Sequence, residues 1–274
     1  MERRLFLELS AGVAGSAWLP KMARANAQPT VTRPVRESAW RLLKSGLKGI
    51  LLRPGDRGFL DLAKPNNLRY KNILPRGIAV CEDASDISFC IRWAEEHSVP
   101  LITRGGGHSY AGYSCTHGLM INLKSINSCS LDVEANTVTV GGGIRNGLIY
   151  RALNSAGRSI THGRCPTVGA GGFLLGGGIG FDMRYNGFGS DKLIRTEIVL
   201  ANGEIVVADT KTNPDLYWAC KGGGGGNFGI NTAFTLETFP VDLCIEFSLI
   251  WTDASDLLLE TLFLNLENLS LIHI

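Results

Sequence analysis

The chain has no Cys-x-x-Cys pair, no Gly-Lys-Ser/Thr triplet and no stripe of lysines and arginines, and each absence closes a class of function. Without cysteines at finger spacing there is no structural zinc site, and no metal is expected elsewhere. Without Lys-Ser/Thr behind a glycine run, none of the glycine clusters is a P-loop for ATP or GTP. Without a basic stripe nothing points to a nucleic-acid partner. The formal net charge of +2 belongs to the first 27 residues, which carry four basic and two acidic side chains; the remainder holds 23 Lys+Arg against 23 Asp+Glu.

What the chain has in excess is glycine. Of 274 residues 34 are Gly, concentrated at 105–107, 141–143, 176–178 and 222–226. Such clustering argues for built loops and against low complexity. With 45% hydrophobic residues the chain can bury a sizeable core.

Residues 1–27 differ from the rest. Arg3-Arg4 precedes a small-residue apolar stretch to Leu19 and then Ala25-Asn26-Ala27, the pattern of a twin-arginine signal peptide. The alternative is an amphipathic N-terminal helix. The apolar stretch is too short for a stable membrane span. The expectation is export to the periplasm or outside the cell, with no stable membrane anchor after signal cleavage. Seven cysteines, an odd number, leave one for a task other than pairing, and Cys165 is the candidate. The other six allow 15 connectivities, a choice the sequence does not make.

Trp40, Leu43, Leu47 and Ile50 recur at helical spacing and predict a helix over Glu37–Leu51, ended by Pro54-Gly55-Asp56. Gly77–Cys81 reads as a strand, and Asp83 caps a helix with Asp86 at the capping-box offset. That helix presents Ile87, Cys90, Ile91 and Ala94 on one face, and Leu101-Ile102-Thr103 resumes a strand. Further strands are expected over Met120–Leu123 and within Ser130–Val140, and a helix over Arg145–Leu153. Asn202-Gly203 between two apolar runs predicts a type I′ hairpin. A short helix is expected from Asn213, and a strand over Ile230–Leu236. Strands and helices mix without strict alternation, which indicates an α+β fold. After Pro240 a strand over Ile245–Trp251 and an apolar helix over Asp253–Leu264 look like the truncated start of another domain. The closing Leu269-Ser270-Leu271-Ile272-His273-Ile274 resembles translated adapter sequence.

Residues 104–112, Arg-Gly-Gly-Gly-His-Ser-Tyr-Ala-Gly, leave a strand where open α/β sheets bind ligands. Three successive glycines free backbone N–H groups to converge on a pyrophosphate, Ser109 adds a hydroxyl, and His108 stands directly behind them. Gly163-Arg164-Cys165-Pro166-Thr167-Val168-Gly169 presents a cysteine in a second glycine-bounded turn. Alone, such a His is usually a hydrogen-bonded turn residue and such a Cys a buried hydrophobe; the pair in this order says more. Gly141-x-Gly143-x-x-x-Gly147 invites a Rossmann NAD(P) reading, but no acidic residue stands near the ribose position about 20 residues on. A tight strand-to-helix turn is the simpler account.

Together with Asn67-Leu68-Arg69-Tyr70, CPTVGAGG at 165–172, GGGIG at 176–180, Asp215-Leu216-Tyr217-Trp218 and Gly226-Asn227-Phe228-Gly229-Ile230, these loops resemble the berberine bridge enzyme-like group of the vanillyl-alcohol oxidase family of flavoproteins. The resemblance implies a PCMH-type FAD-binding domain of two α+β subdomains. On it, residues 28–70 form the N-terminal segment of the FAD domain, 71–240 its PCMH-type body, and 241–274 the start of a substrate domain. It implies FAD bonded twice, by His108 at the 8α-methyl and by Cys165 at C6. Other cofactor contacts carried over are Arg104, Gly105, Gly106, Gly107, Ser109, Thr167, Val168, Gly169, Gly172 and Ile230. An imidazole nitrogen and a thiolate suit this chemistry, being the side chains best able to add to an electrophilic ring near neutral pH.

Tyr110 matches a position that faces substrate. Val168 matches one where Val accompanies oxygen access. Phe173 departs from the pattern, because many relatives carry a His there that donates to the flavin. The implied activity is an exported FAD oxidase taking hydride from an alcohol carbon, such as the anomeric hydroxyl of a sugar or oligosaccharide. Lactone and hydrogen peroxide would be the products. The rival is a non-catalytic flavin- or carbohydrate-binding fragment.

Overall fold

Two β-sheets of opposite character organise the chain. The computed structural model describes residues 34–241 and 256–265, all within the unit Val31–Ile274. The expected signal at 1–27, the strand at 245–251, Cys244 and the closing residues lie outside them. Strands β1 (Ile50–Leu52), β2 (Gly77–Val80), β3 (Leu101–Arg104) and β4 (Leu119–Asn122) form the first sheet in the order β1-β2-β4-β3. Here β4 runs parallel to both β2 and β3, and β1 is antiparallel. The second sheet is antiparallel throughout, with β5 (Cys129–Asp132), β6 (Thr137–Gly141), β8 (Leu193–Val199), β9 (Ile205–Asp209) and β10 (Ile230–Glu237) in the order β5-β6-β10-β8-β9. A two-residue ribbon pairs β7 (Arg158–Ser159) with β11 (Phe239–Pro240). The expected α+β class is what the structure has.

The parallel sheet is covered on both faces, which is why Gly-Ile-Ala-Val and Leu-Met-Ile-Asn are buried without a break. Strand period two sorts their side chains. Ala79, Leu119 and Ile121 pack with α1 (Glu37–Gly46) and α3 (Ala84–Glu96), while Ile78, Val80 and Met120 pack with Phe59 and Ala63 of α2 (Phe59–Ala63). Ile87, Cys90, Ile91 and Ala94 of α3 are all buried, as their spacing predicted. Asp83 accepts from the Ser85 and Asp86 amides at the start of α3, a cap worth about 1 kcal/mol.

The predicted capping box does not form, and the predicted helix over Glu37–Leu51 stops at Gly46. One residue accounts for both. The Asp86 carboxylate accepts from the Lys48, Gly49 and Glu82 amides instead of returning to Asp83, and so turns the chain out of α1. A Cβ on Gly49 would stand 1.9 Å from the Val80 carbonyl oxygen, so only glycine allows β1 to start against β2. Ile50, at helical spacing with Leu47, is exposed.

The antiparallel sheet buries Val138, Val140, Ile198, Phe234 and Leu236 against α4 (Asn146–Asn154), α5 (Ala170–Leu175) and α7 (Pro214–Ala219). Two further helices, α6 (Met183–Asn186) and α8 (Asp256–Asn265), complete the order; the second overlaps the helix expected over Asp253–Leu264. The β8–β9 turn is not type I′, because of its two central residues only Gly203 has positive φ, +81°. Asn202 instead accepts the Glu204 amide with its own side chain. Gly141–Gly143 joins the sheets. A Cβ on Gly142 would stand 2.2 Å from the Asn231 oxygen and one on Gly143 1.7 Å from the Leu123 oxygen. With β6 inside an antiparallel sheet, this run is a close-packed joint and not a Rossmann turn.

Candidate functional site

The His108 loop leaves the C-terminal end of β3, and Arg104 holds it from behind. Arg104 is buried and its guanidinium serves backbone carbonyls: Nη1 donates to Leu62 and Ala63 (both 2.8 Å), Nη2 to Ser114 (2.7 Å) and Nε to Ser114 (3.1 Å). Burial and this demand keep its side chain inside the loop, so the structure makes it a strut and not part of the open surface. Ser109 accepts the Tyr113 amide at 3.1 Å within its own turn. Tyr110 is 87% exposed, with its carbonyl held by Asn67, so its ring has no part in the core.

The Cys165 loop is moulded on α4. The amides of Asn146 and Gly147, in the first turn of that helix, donate to the Val168 and Pro166 carbonyls, each at 2.9 Å. Cys165 and Thr167 are exposed, Val168 is half-buried, and nothing would meet a Cβ on Gly172. Of Cys81, Cys90, Cys115, Cys129, Cys165 and Cys220, only Cys165 is exposed.

These two loops touch backbone to backbone. A Cβ on Gly106 would stand 2.3 Å from the Gly169 nitrogen, and one on Gly169 would stand 2.4 Å from the Gly106 nitrogen. His108 Nε2 lies 3.0 Å from Thr167 Oγ1, two residues beyond Cys165. The structure therefore brings the loop of Gly105, Gly106 and His108 against the loop of Cys165, Thr167, Val168 and Gly169. Gly107 has φ of +74°, the left-handed turn that aims His108 at Thr167. Burial, with the Arg145 guanidinium adding to it, holds the His108 imidazole below its ordinary value, so it is neutral and nucleophilic near neutral pH.

Ile230 is not brought to that surface by its side chain, which is buried in the core against the parallel sheet. Phe173, where the family pattern has a donor, fills space left by three glycines: its ring lies 3.1–3.2 Å from where a Cβ on Gly163, Gly178 or Gly189 would be. The sequence reading missed Asn146, Tyr150 and His162. Tyr150 donates to the Gly163 carbonyl, and its ring lies 3.8 Å, centroid to centroid, from that of His162. The signal was present in the i, i+4 spacing of Asn146 and Tyr150 and in a His three residues before Cys165. The Arg164 guanidinium covers the exposed Phe181 ring at 5.6 Å.

The glycine cradle and two accessible nucleophiles from separate loops fit a flavin nucleotide. Residues 75–209 match a family described as FAD binding domain. The chain is 35% identical over 206 residues to FAD-linked oxidoreductase pytB of Aspergillus terreus, covering 75% of this chain and 25% of that one. It is 36% identical over 208 residues to FAD-linked oxidoreductase YvdP of Bacillus subtilis, covering 75% and 46%. Among solved structures, wild-type Physcomitrella patens BBE-like 1 superposes with a TM-score of 0.70 at 33% identity, over 74% of this chain and 44% of that one. Glucooligosaccharide oxidase from Acremonium strictum, described with a 6-S-cysteinyl, 8α-N1-histidyl FAD, gives a TM-score of 0.69 at 33% identity, over 74% and 43%. The chain spans less than half the length of each of these relatives.

Proposed function

Because the chain belongs to the berberine bridge enzyme-like FAD-linked oxidoreductases of the vanillyl-alcohol oxidase family, we propose that it holds FAD by two covalent bonds, through His108 and Cys165. The observation that carries this is the backbone contact of Gly106 with Gly169, with His108 Nε2 3.0 Å from Thr167 Oγ1, two residues from Cys165, which supports a shared site for both nucleophiles. In the tautomer in which His108 Nε2 donates to Thr167 Oγ1, Nδ1 keeps the lone pair and is the attacking nitrogen. Gly105–Gly107 admits the pyrophosphate without side-chain obstruction.

The flavin, once bound, supplies hydride acceptance. The chain's own part is to fix it between the two loops and to border it with exposed aromatics. Tyr110 lies on the His108 side and Phe181 beside Arg164 on the Cys165 side. A phenol and an aromatic face suit a hydroxylated ring substrate. The reading is an exported oxidase that takes hydride from an alcohol carbon of a sugar or oligosaccharide and passes electrons to oxygen, giving lactone and hydrogen peroxide. Val168, half-buried behind Cys165, supports oxygen access by its small size.

Denatured protein should keep flavin absorbance, with a matching mass gain on the peptides bearing His108 and Cys165. A free flavin and unmodified peptides would sink the double attachment. Absence of peroxide from the flavin-loaded protein across sugars, alcohols and amines would sink the oxidase assignment separately.

A further inference from the structure

The Cys165 turn is held by side chains as well as by helix amides, and those side chains come from one face of α4. Asn146, buried at the start of the helix, donates from Nδ2 to the Cys165 carbonyl at 3.5 Å. Tyr150, one turn further on, donates its hydroxyl to the Gly163 carbonyl. Adding the two main-chain bonds from Asn146 and Gly147, α4 grips the loop at Gly163, Cys165, Pro166 and Val168. Four hydrogen bonds over six residues leave the turn little freedom, and Cys165 is the exposed thiol it presents.

Tyr150 is itself fixed. Its ring lies against His162, and His162 Nδ1 is buried without a hydrogen-bond partner. Burial pushes the Tyr150 phenol up to about 12, so the hydroxyl keeps the proton that it donates to Gly163. Helix α4 packs into the core through Ile149 and Leu153, and the Tyr150 ring packs against the same cluster, so the Tyr150 hydroxyl and the Asn146 amide are what this face adds to packing. A helix that needed only packing at this face would carry apolar residues there.

We propose that Asn146 and Tyr150 are positioning residues that aim the Cys165 thiol at the flavin ring edge, so that the second covalent bond depends on α4 directly and the first only through the contact of Thr167 with His108. The inference rests on the double-attachment reading. In the attachment, the Cys165 S–H and the ring C6–H are replaced by one C–S bond, and the two hydrogens with their two electrons go to molecular oxygen as hydrogen peroxide. A turn free to swing would still bear a thiol, but the fraction of time spent in reach of C6 would fall.

The test compares wild type, Tyr150→Phe and Asn146→Ala, each produced as the full chain and loaded with FAD, by following flavin mass on the His108 and Cys165 peptides over time. Tyr150→Phe keeps the ring against His162 and removes only the hydroxyl, so it guards against a simple folding defect. Loss of one or two oriented hydrogen bonds should slow bonding at Cys165 roughly tenfold while leaving bonding at His108 within about twofold. The variants should then show the spectrum of a singly bonded flavin with a titratable Cys165 thiol. Equal rates at Cys165 in all three proteins would overturn the inference, as would parallel loss at both residues, the mark of a purely structural role. A wild-type protein without flavin on Cys165 would overturn the double-attachment reading and this inference together.

Discussion

The loop of His108 and the loop of Cys165 do related work by opposite means. The first leaves a parallel strand and is held from inside by a buried guanidinium that satisfies three backbone carbonyls. The second lies on a helix and is held from beside it by amide donors of the first turn and by two neutral side chains. A charge in the core is costly unless every donor finds an acceptor, so the His108 loop is rigid or lost as a whole. Neutral hydrogen bonds worth about 1 kcal/mol each give a loop that loosens by degrees. The difference teaches that two loops proposed to hold one ligand have separate mechanical origins, and so can be disturbed separately.

Arg104→Met should break the first loop with the largest effect. Three carbonyls lose their donor at once, and stability should fall by about 3 kcal/mol or more, read from urea unfolding midpoints. Flavin on the His108 peptide should disappear. If stability hardly moves, the contrast between the two loops is mistaken.

Gly106→Ala attacks the contact shared by both. Its Cβ meets the Gly169 nitrogen at 2.3 Å, and relieving that overlap should cost about 1–3 kcal/mol. Both linkages should be slowed together, in contrast with the α4 variants. Unchanged mass gain on both peptides would show that the loops do not need this approach.

The smallest effect is in the titration of His108. Burial first and the Arg145 charge second disfavour the imidazolium, so an NMR titration of flavin-free protein should place its midpoint below 6.5, and Arg145→Gln should move it up. Because the unfolded chain takes up a proton in that interval and the folded loop does not, native stability should fall as pH drops through the window just under 6.5. A midpoint at or above 6.5 would mean the loop is more open than its geometry implies.

Much of the fold was legible in the sequence because local periodicity carried it. The buried face of α3 and the strands β2 and β4 follow from residue spacing, and the paired glycine loops from their resemblance to the family's motifs. What was not legible depended on residues far apart in the chain. Helix α1 ends at Gly46 because Asp86 reaches the Lys48 and Gly49 amides, which no pattern within residues 37–51 records. Arg104 came with the family resemblance as a cofactor contact, and in the fold its guanidinium is buried on backbone carbonyls. Asn146 and Tyr150 passed as ordinary helix residues because their value lies in what α4 packs against.

Where Gly106 meets Gly169, main-chain atoms touch without a side chain between them. The spacing of the His108 and Cys165 loops at this point is thus a dimension of the polypeptide itself, a gauge cut in peptide groups. Beyond the His108–Thr167 pair that bridges the loops and the α4 side chains that hold the Cys165 turn, side chains on this frame could diverge without altering that spacing.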